Sequence, residues 1–180
     1  MSDLLLVEQC KQNNRKAQMA LYHQYCDGMF IVACRYLKDT AAAEDALQEA
    51  FIKAFRKLDQ FKGDVTFGAW LKRIVINTCL DAIKAVKMEK AEIDENTLSI
   101  LDEEDWSVPD ETTVQEVVKT IENLNDPFGM VAKLFLLEGY DHQEISEVLG
   151  ITESASRTYL HRAKKQIQEQ LKHLQHGTGY

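Results

Sequence analysis

DHQEISEVLGITESASRTYLHRAKK, residues 141–165, reads as two short helices on either side of one glycine. Asp141 followed three residues later by Glu144 is an acidic N-cap with its reciprocal carboxylate, a helix start. Ile145, Val148 and Leu149 give that helix one apolar face. Gly150 supplies the positive φ that a tight turn requires. Ile151 plugs the space between the helices, and Thr152 caps the second. Along that second helix Ala155, Leu160, Ala163 and Ile167 recur on the inner side. Ser154, Arg157, Thr158, Arg162 and Lys165 are then expected on the outer face. This is the pattern of a helix-turn-helix. The N-terminal half of its second helix fits the major groove, short polar groups and arginines reach base edges, and basic residues further along meet phosphates. An ordinary helical hairpin would need neither the glycine turn, nor the second cap, nor a one-sided basic face.

Upstream, Asn125-Asp126-Pro127 marks a break, with Asp126 expected as N-cap and Pro127 at the first helical position. Phe128, Val131, Leu134 and Phe135 point inward from that helix, and Gly139 ends it. Val114, Val117, Val118, Ile121 and Leu124 place another helix before it. In the N-terminal half, Leu21, Tyr25, Met29, Val32 and Tyr36 form one buried stripe, with Gly28 unexplained inside it. Asp39-Thr40 breaks that helix. Ala43–Leu58 restarts it, with Leu47, Phe51, Ala54, Phe55 and Leu58 on one face. A loop over Gln60–Thr66 contains Gly63. The next helix, Phe67–Met88, carries Trp70, Leu71, Ile74, Val75, Thr78, Ala82 and Val86 inward. Residues 91–111 hold nine acids and no base, which reads as an acidic linker. Its Leu98, Ile100, Leu101 and Trp106 are unusual for a plain spacer. The expected fold is all-α: two small helical domains, 1–90 and 112–176, joined by the acidic linker 91–111. Two prolines and eight glycines suit long helices better than a turn-rich β-sandwich.

The formal net charge of −8 argues at first against nucleic acid, but its distribution reverses the inference. Residues 1–90 carry 14 Lys and Arg against 11 Asp and Glu; residues 91–126 carry one against 12; residues 127–180 carry six against six. The acid is concentrated in the middle, away from the basic helix. No run of about 18 apolar residues exists to span a membrane, and the first residues have no basic stretch before an apolar one, so a cytoplasmic protein is expected. Cys10, Cys26, Cys34 and Cys79 form no C-x-x-C pair and no zinc-ligand spacing, and read as reduced helix-packing cysteines. His23, His142, His161, His173 and His176 are scattered. With no metal-spaced cluster, phosphate loop or nucleophile motif, neither catalytic residues, nor a metal, nor a cofactor is expected.

The run Glu138-Gly139-Tyr140, Glu144-Ile145, Leu149-Gly150-Ile151, Arg157 and Leu160-His161-Arg162-Ala163-Lys164 resembles region 4 of extracytoplasmic-function (ECF) sigma factors. Separately, Ala43-Glu44-Asp45-Ala46-Leu47-Gln48-Glu49-Ala50-Phe51 resembles their region 2, as does Phe67-Gly68-Ala69-Trp70-Leu71-Lys72-Arg73-Ile74-Val75-Ile76-Asn77 with Asp81 and Lys84. Two motif sets in the right order are far more specific than either alone, and they cover nearly the whole chain. The resemblance implies a non-enzymatic protein that binds core RNA polymerase, directs it to promoter DNA and assists opening of the duplex. It implies that Asp45, Gln48 and Glu49 contact polymerase, with Phe51 in the core. It implies that Gly63, Asp64, Val65 and Thr66, with Arg73, Asn77, Lys84 and Lys87, hold the unpaired −10 strand, where cations follow phosphates and an amide reads a splayed base. Ser154, Arg157, Thr158, Tyr159, Arg162 and Lys165 would read the −35 duplex. An anti-sigma factor, often membrane-anchored, is the implied regulator. The chain departs from the family pattern at Val65-Thr66, where a serine pair is frequent, at Phe128-Gly129, where a tyrosine-arginine pair is frequent, and at Tyr159.

Two rival functions make different demands. A stand-alone regulator using the same helix-turn-helix, with residues 1–90 as sensor or dimerisation domain, would bind duplex DNA tightly without polymerase. An all-helical adaptor capturing a basic partner would be indifferent to loss of Arg157 or Arg162.

Overall fold

The computed structural model describes residues 3–88 and 112–177, with side chains described over 3–85 and 112–173. The acidic stretch 91–111, including Leu98, Ile100, Leu101 and Trp106, lies outside the described residues. The chain divides into two compact units, residues 1–92 and 93–180.

The first unit contains α1 (Asp3–Lys11), α2 (Arg15–Tyr36), α3 (Thr40–Arg56) and α4 (Phe67–Met88), with a single 3₁₀ turn at Leu58–Gln60 after α3. Each later helix starts where a short polar side chain takes up free amides. The Asn14 Oδ1 accepts from the amides of Lys16 and Ala17, at 3.0 and 3.3 Å. Asp39 accepts from Ala42 at 2.8 Å, and the Thr66 hydroxyl from Ala69 at 3.2 Å. The buried face of α3 is rich in alanine: Ala43, Ala46, Ala50 and Ala54, with Leu47 and Phe51 between them. Small side chains let α2 and α4 approach closely, and Leu21, Leu71, Val75 and Cys79 fill the space between with no exposed surface. α1 was not expected from the sequence; Leu6, Val7 and Cys10 bury its inner side.

The second unit contains α5 (Val114–Asn123), α6 (Phe128–Ala132) continuing into a widened π turn at Lys133–Leu137, α7 (His142–Leu149) and α8 (Glu153–Gly177). Its core joins Ile121, Leu124 and Ala132 to Ala163, Ile167 and Leu171 of α8. The entrance to α6 corrects the sequence expectation. Pro127 itself occupies the cap position and no side chain caps the helix, so Asp126 has no capping role. The amide of Gly129 bonds instead to the Asn125 carbonyl at 2.9 Å. Gly129 is required by proximity: a Cβ there would lie 2.4 Å from the Leu124 carbonyl oxygen.

Candidate nucleic-acid interface

The helix-turn-helix is built as its capping residues dictate. The Asp141 carboxylate accepts from the Glu144 amide at 2.8 Å, and Glu144 returns the bond to the Asp141 amide at 2.9 Å. Gly150 ends α7 at φ +68°, and its amide and that of Ile151 both close on the Ser146 carbonyl. The Thr152 hydroxyl then accepts from Ala155 at 3.1 Å and starts α8. One contact across the motif was not legible in its periodicity. His142 Nδ1 lies 2.9 Å from the Ser156 hydroxyl, Ser156 is fully buried, and the imidazole stacks on Phe135 at 4.8 Å between ring centres. Burial, and then the nearby Arg157 guanidinium, push the imidazole pKa below its ordinary value, so the two helices are tied by a neutral histidine.

On the outer side of α8, Ser154, Arg157 and Lys165 are exposed. Arg157 lies back along the helix, 3.5 Å from the Glu153 carboxylate. Tyr159 and Arg162 are half-buried because both meet Phe128. The Tyr159 ring stands edge-on to it at 5.7 Å, and the Arg162 guanidinium lies 6.0 Å from its centre. Thr158 departs from the expected outer face: it is only 8% exposed. It does not stand out into solvent as Ser154 and Arg157 do.

In the first unit the segment between the 3₁₀ turn and α4 bends at Gly63, φ +83°. Gly63, Asp64, Val65 and Thr66 are all exposed. They line a cleft of about 560 Å³ together with Phe61, Phe67, Asp3 and Leu4. Beneath it Phe61, Phe67 and Trp70 form a ring cluster with centres 5.4 to 5.7 Å apart. Trp70 is half-buried in that cluster. Arg73 and Asn77, one turn apart on α4, are exposed, and Lys84 is half-buried two turns beyond. Lys87 belongs to α4, but its side chain lies outside the described residues.

On α3, Asp45, Gln48 and Glu49 share the face opposite the alanine-rich one, and all are exposed. Glu49 pairs with Lys53 at 2.8 Å, and Lys53 also reaches within 4.0 Å of Asp81 on α4. Ile52, one turn from Gln48, is 51% exposed. Phe51 is buried against Tyr22 at 4.8 Å between ring centres.

Comparison with known proteins assigns a family to a segment of each half of the chain. The Sigma-70 region 2 family matches residues 21–87 and the Sigma-70, region 4 family matches residues 133–167. The chain belongs to the ECF sigma-factor family. This sigma factor is 29% identical to the ECF RNA polymerase sigma-E factor of Escherichia coli K12 over 189 residues, covering 97% of this chain and 96% of that one. It is 29% identical to the RNA polymerase sigma-H factor of Pseudomonas aeruginosa PAO1 over 186 residues, covering 96% and 95%. Among solved structures it resembles in fold CnrH, determined in complex with the cytosolic domain of CnrY, with a TM-score of 0.51 at 22% identity and coverage of 94% and 97%.

The sigma factor gathers Gly63, Asp64, Val65 and Thr66 around one cleft, and carries Arg73, Asn77 and Lys84 along α4. Three site features were missed. Ile52 lies off the buried stripe of α3, where an apolar residue alone carries no signal. Ser156 is small and looks like a surface serine until His142 is placed above it. Asp3 and Leu4 are more than fifty residues from the rest of their cleft. The cysteine expectation is corrected in part: Cys10 and Cys79 are buried, whereas Cys34 is exposed. Burial pushes the Cys79 thiol up to about 11. Among the described residues no group of His, Cys, Asp and Glu could hold a metal ion, and no helix is long and apolar enough to cross a membrane.

Proposed function

We propose that this sigma factor works as a two-part promoter clamp on core RNA polymerase. The exposed α3 face of Asp45, Gln48 and Glu49, extended by Ile52, docks on polymerase. An apolar centre with a polar surround is the usual anatomy of a protein–protein contact. The loop Gly63–Thr66 and the α4 side chains Arg73, Asn77, Lys84 and Lys87 hold the unpaired −10 strand. On α8, Ser154, Arg157, Tyr159, Arg162 and Lys165 engage the −35 duplex, with Thr158 beneath them. The polymerase supplies all the chemistry, so the sigma factor needs no catalytic group, and its work is done in the cytoplasm. The observation that carries this reading is the union in one chain of two sigma regions, each presenting cations on one face of one helix. A stand-alone regulator has no use for the first.

The modest charge of α8 fits this division of labour. Arg157 is engaged by Glu153 in the free chain, so DNA phosphate must displace a carboxylate, and duplex affinity without polymerase is then weak. Regulation by a protein that covers these surfaces follows from the family, in which such anti-sigma partners are common. Permanganate footprinting of an open promoter tests the assignments. Arg73→Ala with Asn77→Ala abolishes reactive thymines while the holoenzyme still forms. Asp45→Ala with Gln48→Ala prevents the holoenzyme from forming. Normal opening by the first pair would refute the −10 assignment.

A further inference from the structure

The cleft beside Gly63–Thr66 has a wall that does not come from the loop or from α4. The first turn of α1 contributes Asp3 and Leu4 to its lining. Leu4 and Val65 line it while remaining 61% and 54% exposed. Phe61 and Phe67, at 6% and 2%, are its buried apolar groups. Asp64 and Thr66 add polar edges. Apolar surface with polar groups at the margin suits a flat heterocycle, apolar on its faces and polar around its rim.

The position of α1 is fixed by specific bonds. The Asp3 carboxylate accepts a hydrogen bond from the Tyr25 hydroxyl and another from Gln24 Nε2 at 2.8 Å. The Tyr25 ring stands edge-on to Phe67, 5.4 Å between centres, and a Cβ on Gly68 would lie 2.9 Å from its edge. α1, α2 and the start of α4 are therefore joined beside the cleft. A Cβ on Gly63 would meet Leu4 Cδ2 at 3.9 Å, which sets the leucine beside the loop across the cleft they both line. Burial and the Asp3 carboxylate hold the Tyr25 phenol up at about 12, and its hydrogen bond holds Asp3 below its usual range. The latch keeps its charge state across the working range of pH.

We infer that Leu4 is a specificity-determining residue for one unpaired promoter base, lying against it in the cleft, and that Asp3 is the positioning residue that holds Leu4 there. This rests on the −10 role proposed for the loop and α4. The test uses holoenzyme assembled with the full chain on a promoter library randomised across the melted −10 segment, with transcripts sequenced to give base preference at each position. Leu4→Ala weakens the preference at one melted position by roughly tenfold, the lower end of what apolar shape in a pocket contributes to discrimination, and leaves the others intact. Asp3→Ala weakens the same position. Leu5→Ala, at an exposed residue outside the cleft, keeps the native profile. A native profile for Leu4→Ala, or a uniform loss at every position, would overturn the inference; a native profile for Asp3→Ala alone would remove Asp3 from it. Arg73→Ala with Asn77→Ala in the same library separates the two levels. If that pair opens promoters normally, the −10 assignment itself has failed. If it loses opening while Leu4→Ala changes nothing, only the α1 wall has failed.

Discussion

Two glycine-to-alanine changes should shift stability in opposite directions. In Gly129→Ala the new Cβ would lie 2.4 Å from the Leu124 carbonyl oxygen, 3.0 Å from its carbonyl carbon and 3.1 Å from its Cβ. The first contact falls about 1 Å inside the ordinary range, which begins at 3.4 Å. Two of these three atoms are backbone and cannot rotate away. Leu124 is locked in the core with Ile121, Ala132, Ile167 and Leu171, so relief must move α6 off α5 and open gaps around them. Overpacking of this kind costs about 1–3 kcal/mol, and a backbone clash belongs at or above the upper end. Alanine's better helix propensity returns about 1 kcal/mol. The net is about 2 kcal/mol of destabilisation, or a roughly thirtyfold rise in the opened population. Gly28 is the counterpart: exposed, within α2, with nothing within 4 Å of an added Cβ. There the same change stabilises by about 0.5–1 kcal/mol. Native-state hydrogen exchange on the full chain reads both, as faster exchange in α5, α6 and α8 for Gly129→Ala and slower exchange in α2 for Gly28→Ala. A neutral or stabilising Gly129→Ala would refute the close-approach reasoning.

The capping box at Asp141 joins two bonds, and Asp141→Ala should cost about 1 kcal/mol, seen as faster exchange confined to α7 and the turn. His142 has a folded pKa below its ordinary 6.5, so the unfolded chain binds the proton more readily; its contribution is complete above that value and is lost as pH falls below it, until the folded imidazole itself is protonated. Protonation also sets a cation beside Arg157 and Lys164, eased by Glu153 and Asp141. Thermal midpoints at pH 7.5 and 5.5 should therefore fall further for the native chain than for His142→Asn; equal falls would dismiss the histidine. Arg162→Ala removes both a cation and a contact with Phe128. It should impair −35-dependent promoters at least tenfold while promoters selected by their −10 segment suffer less, as measured by run-off transcription.

Much of this fold is written in local chemistry. Caps and period-3.6 stripes are short-range signals, and they placed α4 at Phe67–Met88 and the turn at Gly150. α1 escaped because two turns with three inward residues leave little periodicity to read. Asp126 has the right chemistry for a cap, yet Pro127 takes the position and Gly129 bonds back to Asn125. Thr158 was assigned by angle around the helix, and that angle does not register that the residue is almost fully covered in the fold. The candidate site divides the same way. Residues on one helix face, such as Arg73 and Asn77 or Asp45 and Gln48, can be grouped from spacing alone. The cleft joins Asp3 and Leu4 to the loop through the bonds of Tyr25, and no local pattern encodes that meeting.

In the proposed clamp, one chain supplies both promoter contacts to polymerase. Run-off transcription with core RNA polymerase on a genomic promoter library, with and without the sigma factor, tests it most directly. Start sites should appear only with the sigma factor, share two conserved elements, and vanish with Arg157→Ala plus Arg162→Ala or with Arg73→Ala plus Asn77→Ala. No sigma-dependent start sites, or start sites unchanged by both pairs, would contradict it.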